Sequence, residues 1–593
     1  MEEHRSTRIE SSTGFEDISR SNLGTDIDRD RLKKTIGTNP DTEADIFIPN
    51  SRMDTGRTSK EHGDVNEGKW NDSDSIDTEP FPGQGIDGEV LGSSQTTTLA
   101  KDDVDVEAQG EKEKEDALRL EREKEEHDPN LITWDGPDDP DNPMNWDTKK
   151  KWFITVILGL MTFVVTFASS VFSTATIVVA ELYGVSEEVA VLGTSLFVLG
   201  FGVGPLIWGP GSELFGRKAP LFFGYACFAI FQIPVAVAQN LQTIMVCRFF
   251  GGVFASAPLA IVGGALADFF GPVDRGVAVC VFAAATFIGP IAGPIGGNFI
   301  TQSYLGWRWT AWVTMILAAG FGMLGLIFVP ESSHPKILQQ RAARLRFETK
   351  NWAIHSKADE LKLTPHTILQ TYLLRPFIML FQEPILLLIT LYMALIYGIL
   401  YLFFEAYPIS FQQSRGWAPG LSALPFIGIL IGVLLGAGTI SWVTKTRFAR
   451  KLEKHGKVIP EERLPPMILG SFILPIGLFW FAWTSNPNIT WVPQVISGIF
   501  IGWGILMIFL QGLNYIIDVY MWHANSAIAA NTFLRSFAGG GFPLFAQYMF
   551  NGLGVAWATS VLGFACVVMM PAPVLFFIYG ARVRKMSKFS PSA

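Results

Sequence analysis

An all-α integral membrane protein with twelve spanning helices, divided six and six, is the fold class that this chain of 593 residues predicts. Three observations predict it. Residues 1–150 hold 39 Asp and Glu against 19 Lys and Arg, whereas residues 151–593 hold 16 against 27, so an acidic segment is joined to a mildly basic body. Along that body, stretches of the ~20 mostly apolar residues that a helix needs to cross a bilayer recur twelve times, most of them without a charge. The longest interval between consecutive stretches, residues 330–383, falls between the sixth and the seventh. In lipid an open-ended segment satisfies its backbone only as a helix.

Taken in order, residues 1–146 are rich in Ser, Thr, Asp, Glu and Gly and poor in aliphatic clusters. Such a segment buries too little apolar surface to offset its conformational entropy, so a disordered acidic tail is expected. Residues 102–126 could form a short charged helix with no apolar face to dock, and the tail reads either as a regulatory element or as a solvated extension. The predicted spans follow: 152–180, 189–212, 219–239, 241–267, 276–301 and 309–329 in a first half (147–330), then 384–411, 421–443, 465–484, 491–513, 526–550 and 553–580 in a second (384–580). A central loop, 331–383, separates the halves, and a short tail, 581–593, ends the chain.

Orientation is read from the loops, because Lys and Arg gather on the cytoplasmic side of short connections. With the N-terminus inside, the inner loops carry Arg217 and Lys218, Arg275, eight bases from Lys336 to Arg375, seven from Lys445 to Arg463, and four in the C-terminal tail. The outer loops carry only Arg308 and Arg415. Both termini are expected in the cytoplasm.

Several function classes are excluded by pattern. No GxxxxGK[ST] loop, no GxSxG elbow and no secretory signal pattern occurs, so hydrolysis of nucleotide by the P-loop route and serine-hydrolase chemistry find no support, and no enzyme activity is expected. The four cysteines (Cys227, Cys247, Cys280, Cys566) lie in apolar runs with no CxxC or Cys/His cluster, so neither a disulfide framework nor a metal site is expected. Asn488-Ile-Thr490 is a glycosylation triplet in a predicted outer loop too short to favour its use, and Asn71-Asp-Ser73 lies in the cytosolic tail.

Charges within a bilayer are expensive and mark function by default. Within the spans they are Arg248, Glu405 and Arg535; Asp268 and Asp518 stand at cytoplasmic helix ends. Tyr397, Tyr401 and Glu405 recur every four residues and share a helix face. Rings beside a carboxylate suit an organic cation, although a tyrosine stripe also serves helix packing and Glu405 could reach the outer solvent. Arg535, about nine residues and so about 14 Å into its helix, should face a cavity or a carboxylate. It either offsets Glu405 or Asp518 or binds an anionic substrate.

Motifs then carry a resemblance. Gly209-Pro-Gly-Ser-Glu213-Leu-Phe-Gly216-Arg217-Lys218 resembles the GxLxDxxGRK loop of major facilitator transporters, with Gly211 for the usual Leu and Glu213 for the usual Asp; Glu213 and Arg217 could pair with each other or with Asp268. Arg248-Phe-Phe-Gly251-Gly252 is similar to the RxxxG pattern linked in that superfamily to proton coupling. Gly289-Pro290-Ile-Ala-Gly293-Pro294-Ile-Gly296-Gly297 resembles the helix 5 signature of drug antiporters, shifted at its last glycine pair. Its prolines bend the helix and its glycines allow close packing, in either a packing or a gating role. Trp307-Arg308-Trp309, Pro330-Glu331, Arg375-Pro376, the Tyr397-to-Pro408 run, Asn514-to-Tyr520 and Ala529-Ala530-Asn531 through Arg535 are similar to fungal twelve-span drug:proton antiporters, as is the lead-in from Asp138 to Trp146.

The resemblance covers residues from about Trp134 to Arg584, and it implies a major facilitator fold of two pseudo-symmetric halves that rock about a central site. It implies proton-driven export of drugs or other small organic compounds across the plasma membrane (a vacuolar membrane being the alternative), with polyamines or a self-made toxin as the rival cargo. A transporter-like sensor and a nutrient importer are the remaining readings. The expected site set is Arg248, Glu405 and Asp268 for proton coupling, Gly209, Glu213, Gly216, Arg217 and Lys218 for the conformational switch, and Gly289, Pro290, Gly293, Pro294 and Gly297 for gating. Tyr397, Tyr401, Glu405, Asn531 and Arg535 are expected to line the substrate cavity. No cofactor beyond the proton gradient and no nucleic acid is expected, and the partners are small molecules, protons and lipid around a monomer. No acid stands in the middle of helix 1, where some antiporters of the superfamily hold their proton site.

Overall fold

The computed structural model describes residues 128–360, 369–456 and 458–590. The disordered-tail and charged-helix expectations for residues before 128, and the Asn71 triplet, lie outside the described residues. Eleven continuous helices among the described residues are long and apolar enough to cross a membrane. They are α1 (Thr148–Tyr183), α2 (Glu187–Leu214), α3 (Lys218–Val237), α4 (Leu241–Phe269), α5 (Pro272–Gln302), α6 (Arg308–Phe328), α7 (Pro384–Gln413), α8 (Pro419–His455), α9 (Pro460–Trp483), α10 (Trp491–Tyr520) and the stretch Ala524–Lys585. The last is two crossings: Gly554 adopts φ 75° and ψ 160°, a conformation open to glycine, and turns the chain between α11 (524–553) and α12 (555–585). Twelve crossings therefore stand where twelve apolar stretches predict them.

Local chemistry sets the ends. Asp147 caps the start of α1 by accepting the amide of Lys149, and Asn240 caps α4 through Thr243. Pro272 and Pro384 occupy first-turn positions, where a missing N–H costs nothing. Two helices outrun their apolar stretch. α1 continues through a 3-10 turn at Phe172–Ala175 to Tyr183, and α8 runs on to His455, carrying Lys445 and Arg447 on helical backbone beyond the apolar segment. A hydropathy boundary marks where lipid ends, whereas a helix ends only where its hydrogen bonds do.

Within the first half, α5 packs on α1 through a row of small residues. Gly289, Gly293 and Gly297 lie directly against Thr166, Ser170 and Thr174, so close that a β-carbon at Gly297 would stand 2.6 Å from the Thr174 hydroxyl. The glycines of the helix 5 motif thus bring two backbones together. The halves meet along α2 with α11 and α5 with α8. Gly202 faces Ser536, Gly540 faces Ser195 and Leu199, and the Cys280 thiol donates to the Ala437 carbonyl at 3.3 Å.

One end of the bundle gathers the basic loops. There the segment 128–146, expected to belong to the disordered tail, is folded against the central loop. The Ile132 amide donates to the His355 carbonyl and the His355 amide to the Asn130 carbonyl around the Leu131 bridge, Arg341 pairs with Asp135 and Asp139, Trp134 meets His334 edge-on, and Trp146 lies on Phe269. The correction has a charge-pairing cause. Asp139 is only 5% exposed, and the amides of Asp135 and Asp141, then Arg341, hold its carboxyl below the usual carboxylate range. Composition alone reports an acidic segment without its docking partner 200 residues away.

Candidate functional site

The break in α1 creates the first element of the site. Where α1 tightens at Phe172, the carbonyls of Ala168 and Ser169 lose their regular i+4 donors. Arg248 of α4 fills that gap. Its Nη1 donates to Ala168 O at 2.8 Å, its Nη2 to Ser169 O at 3.4 Å, and its Nε to Gly193 O of α2 at 2.8 Å. Phe172 and Phe197 flank the guanidinium at 4.9 and 4.3 Å from the ring centroids. Arg248 is 2% exposed and pairs with no carboxylate among the described residues.

Ser169 carries the arrangement across the molecule. Its hydroxyl donates to Thr166 O at 2.6 Å, which leaves Tyr401 of α7 as the donor in the 2.7 Å bond between the two hydroxyls. Tyr397, one turn away, stands 3.4 Å from the Tyr401 oxygen. Gly539 of α11 makes room for the Tyr397 ring: a β-carbon there would meet it at 2.7 Å. Arg535 then lies over Tyr397 on one side and Phe509 of α10 on the other, 4.9 and 4.7 Å from the ring centroids. Arg248, Ser169, Tyr401, Tyr397 and Arg535 thus form one continuous seam across α4, α1, α7 and α11.

Two cavities lie on either side of this seam. The larger, about 300 Å³, sits between the basic-loop ends of α4 and α5 and those of α10 and α11, lined by Gly209, Arg217, Asp268, Arg275, Asn514 and Asn525 among others. The smaller, about 80 Å³, is at the opposite end and is lined by Glu405, Glu187, Asn298, Gln412, Gln413 and Gln547 together with apolar groups. Glu187 accepts from Gln547 at 2.6 Å, and Glu405 has no cation paired with it among the described residues.

The expected substrate set therefore divides. Tyr397, Tyr401 and Arg535 come together, but Glu405 lines the smaller cavity, where none of those three is found. The four-residue repeat puts Glu405 on the tyrosine side of the helix, yet one more turn carries it past the seam. Asn531 turns away from both cavities, donating to Thr390 Oγ1 at 3.2 Å and Met393 Sδ at 3.3 Å on α7. Neither Glu405 nor Asp518 offsets Arg535: Asp518 is taken by Arg463 at 2.8 Å and Arg275 at 3.7 Å.

The switch residues form a separate network at the basic end. Arg217 pairs with Asp268 at 3.1 Å and donates to Ser212 at 2.9 Å, while Glu213 accepts from Asn525 in the other half. Gly216 adopts φ 86°, and a β-carbon there would collide with the Glu331 carboxylate. Glu331 had entered only as part of a motif. It accepts the amides of Arg217 at 2.7 Å, Lys218 at 3.0 Å, Ser332 at 3.0 Å and Ser333 at 2.9 Å, tying the start of α3 to the end of α6. Glu383, also known only from the motif Glu383-Pro384, accepts from Tyr520 and the Lys588 amide, and Glu461, which sequence reading missed, receives a forked pair from Arg584 at 2.9 and 3.1 Å. Their signal was a carboxylate beside a proline at a helix start. Arg248, Glu405 and Asp268, grouped for proton coupling, occupy three different places. Asn488 is exposed on a connection at the end opposite the basic loops, and among the described residues no group of three His, Cys, Asp or Glu is placed to hold a metal.

Comparison with known proteins agrees with this architecture. Residues 158–543 match the family model described as Major Facilitator Superfamily. The chain is 58% identical over 462 residues to the MFS transporter of the citrinin biosynthesis cluster of Monascus ruber, covering 78% of this chain and 92% of the relative. It is 55% identical over 465 residues to the MFS transporter of the ascochitine biosynthesis cluster of Didymella fabae (78% and 90%), and 46% identical over 463 residues to the cercosporin MFS transporter of Cercospora nicotianae (78% and 90%). The proton:xylose symporter XylE, solved with 6-bromo-6-deoxy-D-glucose, shares the fold with a TM-score of 0.53 at 16% identity, over 73% of this chain and 96% of that one. Two six-helix halves around a sealed seam, matched over most of their length to proteins of one kind, leave a single assignment: the chain is a membrane transporter and belongs to the Major Facilitator Superfamily.

Proposed function

We propose that this transporter exports a small organic compound made by the cell that carries it, in exchange for protons, with the basic-loop end in the cytoplasm. The cavity pair carries the reading. The larger space adjoins the basic ends, the smaller one holds an uncompensated Glu405, and the seam separates them, which is how an alternating-access exporter loaded from the cytoplasm would be arranged. The citrinin, ascochitine and cercosporin transporters favour a self-made secondary metabolite as cargo. Glu405 suits the proton site: a carboxylate without a cation, facing the outer space, can take up a proton there and release it when the halves rock.

The plasma membrane is the proposed location, with the vacuolar membrane as the alternative, since either would remove a toxic product from the cytosol. Export of foreign drugs is the second reading, favoured by the largely apolar lining of the larger cavity.

The test uses inside-out vesicles from cells making the full chain. An acid interior should drive accumulation of the cell's own metabolite, a protonophore should stop it, and Glu405→Gln should stop it as well. Accumulation that ignores the gradient would overturn the antiport reading. Gradient-driven accumulation unchanged in Glu405→Gln would remove Glu405 from proton transfer.

A further inference from the structure

We infer that the ceiling of the larger cavity is an anion seat, in which Arg535 binds the carboxylate, or an equally acidic oxygen, of an aromatic organic acid. The inference rests on the export reading and names its substrate class. Arg535 is 8% exposed and makes no hydrogen bond and no ion pair among the described residues, and its buried Nε has no acceptor. Burial of a charge without a counter-ion is stable only if something compensates it, and the two flanking rings do so in part. A carboxylate supplies what is missing, because a guanidinium fork matches its two oxygens.

The surroundings agree. Thr532, one turn before Arg535 on α11, lines the cavity, so the arginine lies just past its inner end. The charged groups that line the space are already committed, Arg217 to Asp268 and Arg275 to Asp518. Asn514 also lines it, is 7% exposed, and has an amide nitrogen without a partner, a second buried donor facing the same space. Tyr397 and Phe509 hold the guanidinium between them, and the cavity wall is largely apolar, with Leu259, Phe282 and Leu513 among its residues, which suits an aromatic body behind the acid group. The cavity, about 300 Å³, is at the lower end of the range for small-molecule sites.

Three probes with one skeleton test the seat: tritiated 2-naphthoate, 2-naphthamide and 2-naphthylmethylammonium, bound to the detergent-solubilised full-length chain by equilibrium dialysis. The acid should bind roughly tenfold or more tighter than the amide, and the ammonium weakest. Arg535→Gln should bring the acid down to the amide while leaving the amide unchanged, with Arg535→Lys between the two. Asn514→Leu, a second variant on another helix, should weaken the acid several-fold. Equal binding of acid and amide by the wild-type chain overturns the seat without any variant, and so does an acid preference that persists in Arg535→Gln. Binding in detergent has neither gradient nor direction. Acid-selective binding beside vesicles that do not export therefore removes the export reading and keeps the seat, whereas normal export without acid preference does the reverse.

Discussion

Arg248 and Arg535, two arginines buried within membrane-spanning helices, meet opposite surroundings. Arg248 in the first half sits between two aromatic rings and gives its donors to two carbonyls at the break in α1 and to one carbonyl on α2. Arg535 in the second half also sits between two rings, yet it makes no hydrogen bond among the described residues. The same residue type, buried in both places, is a hydrogen-bonded clamp in one and keeps its donors unspent in the other. The difference teaches that a charge in a membrane span reports function only after its acceptors have been counted.

The comparison breaks most sharply at Arg248. Arg248→Met should leave the carbonyls of Ala168 and Ser169, at the end of the regular part of α1, without their side-chain donor, at about 1–3 kcal/mol for each buried group. The expected outcome is a large fall in the thermal midpoint of the solubilised protein and in the amount that reaches the membrane. A midpoint equal to wild type would show that the clamp does not stabilise the fold.

Next comes the seam that joins them. Tyr401→Phe removes one buried hydroxyl bond to Ser169, an effect of about 1 kcal/mol on stability. Because that bond ties α7 to α1, the transport rate should change more than the melting point. Transport and melting assays that move together would make the bond purely structural.

Arg535→Met should behave oppositely to Arg248→Met. Replacing an unpaired buried charge by an apolar side chain of similar length is neutral or stabilising, here by roughly 0–1 kcal/mol. The melting point should hold or rise while binding of organic acids is lost. A drop as large as that of Arg248→Met would erase the distinction between the two arginines.

The smallest effect lies outside the bundle, where a titratable group does have partners. The His355 Nδ1–H donates to the Ala353 carbonyl at 2.8 Å, and its Nε2 meets Glu360 at 2.9 Å and Asp128 at 3.8 Å. The Ala353 carbonyl first, then Glu360 and Asp128, raise its pKa above the ordinary value. Of these partners only Asp128 belongs to the docked segment, so docking makes His355 bind its proton slightly more tightly, through that carboxylate. The extra stability of the docked state is complete below the ordinary value of about 6.5 and is lost as pH rises through the raised one. Protection of the Ile132 and His355 amides from hydrogen exchange, corrected for intrinsic rates, should fall slightly across that window, and His355→Gln should flatten the dependence. A protection profile independent of pH in the wild-type chain would separate His355 from the docking.

How much of this was legible beforehand depends on the range of the physics involved. Hydropathy is local, so the twelve crossings, the division at the central loop and the acidic character of the N-terminal segment followed from composition and span length. The glycine row of α5 was legible as a close-packing surface, and the Arg217 loop as a tight turn, because both depend on residues a few positions apart. The resemblance in those motifs led to the superfamily before any coordinate. Arg248 and Arg535 were legible as costly charges. Their partners were not, because acceptors such as Ala168 O and Ser169 O are main-chain atoms that every residue possesses, and only the break in another helix brings them within reach. Glu405 was legible on the tyrosine face of its helix, but that it lines the smaller cavity was not, since a helical repeat fixes direction around the axis but not which space a neighbouring helix encloses at each level. The segment 128–146 was misjudged for a similar reason: its counter-charge, Arg341, is remote in sequence. The chain by itself determined what must cross the membrane and which charges need an explanation. The tertiary structure decided which of those charges are already satisfied, because burial, broken helices and long-range pairing exist only once the helices are packed.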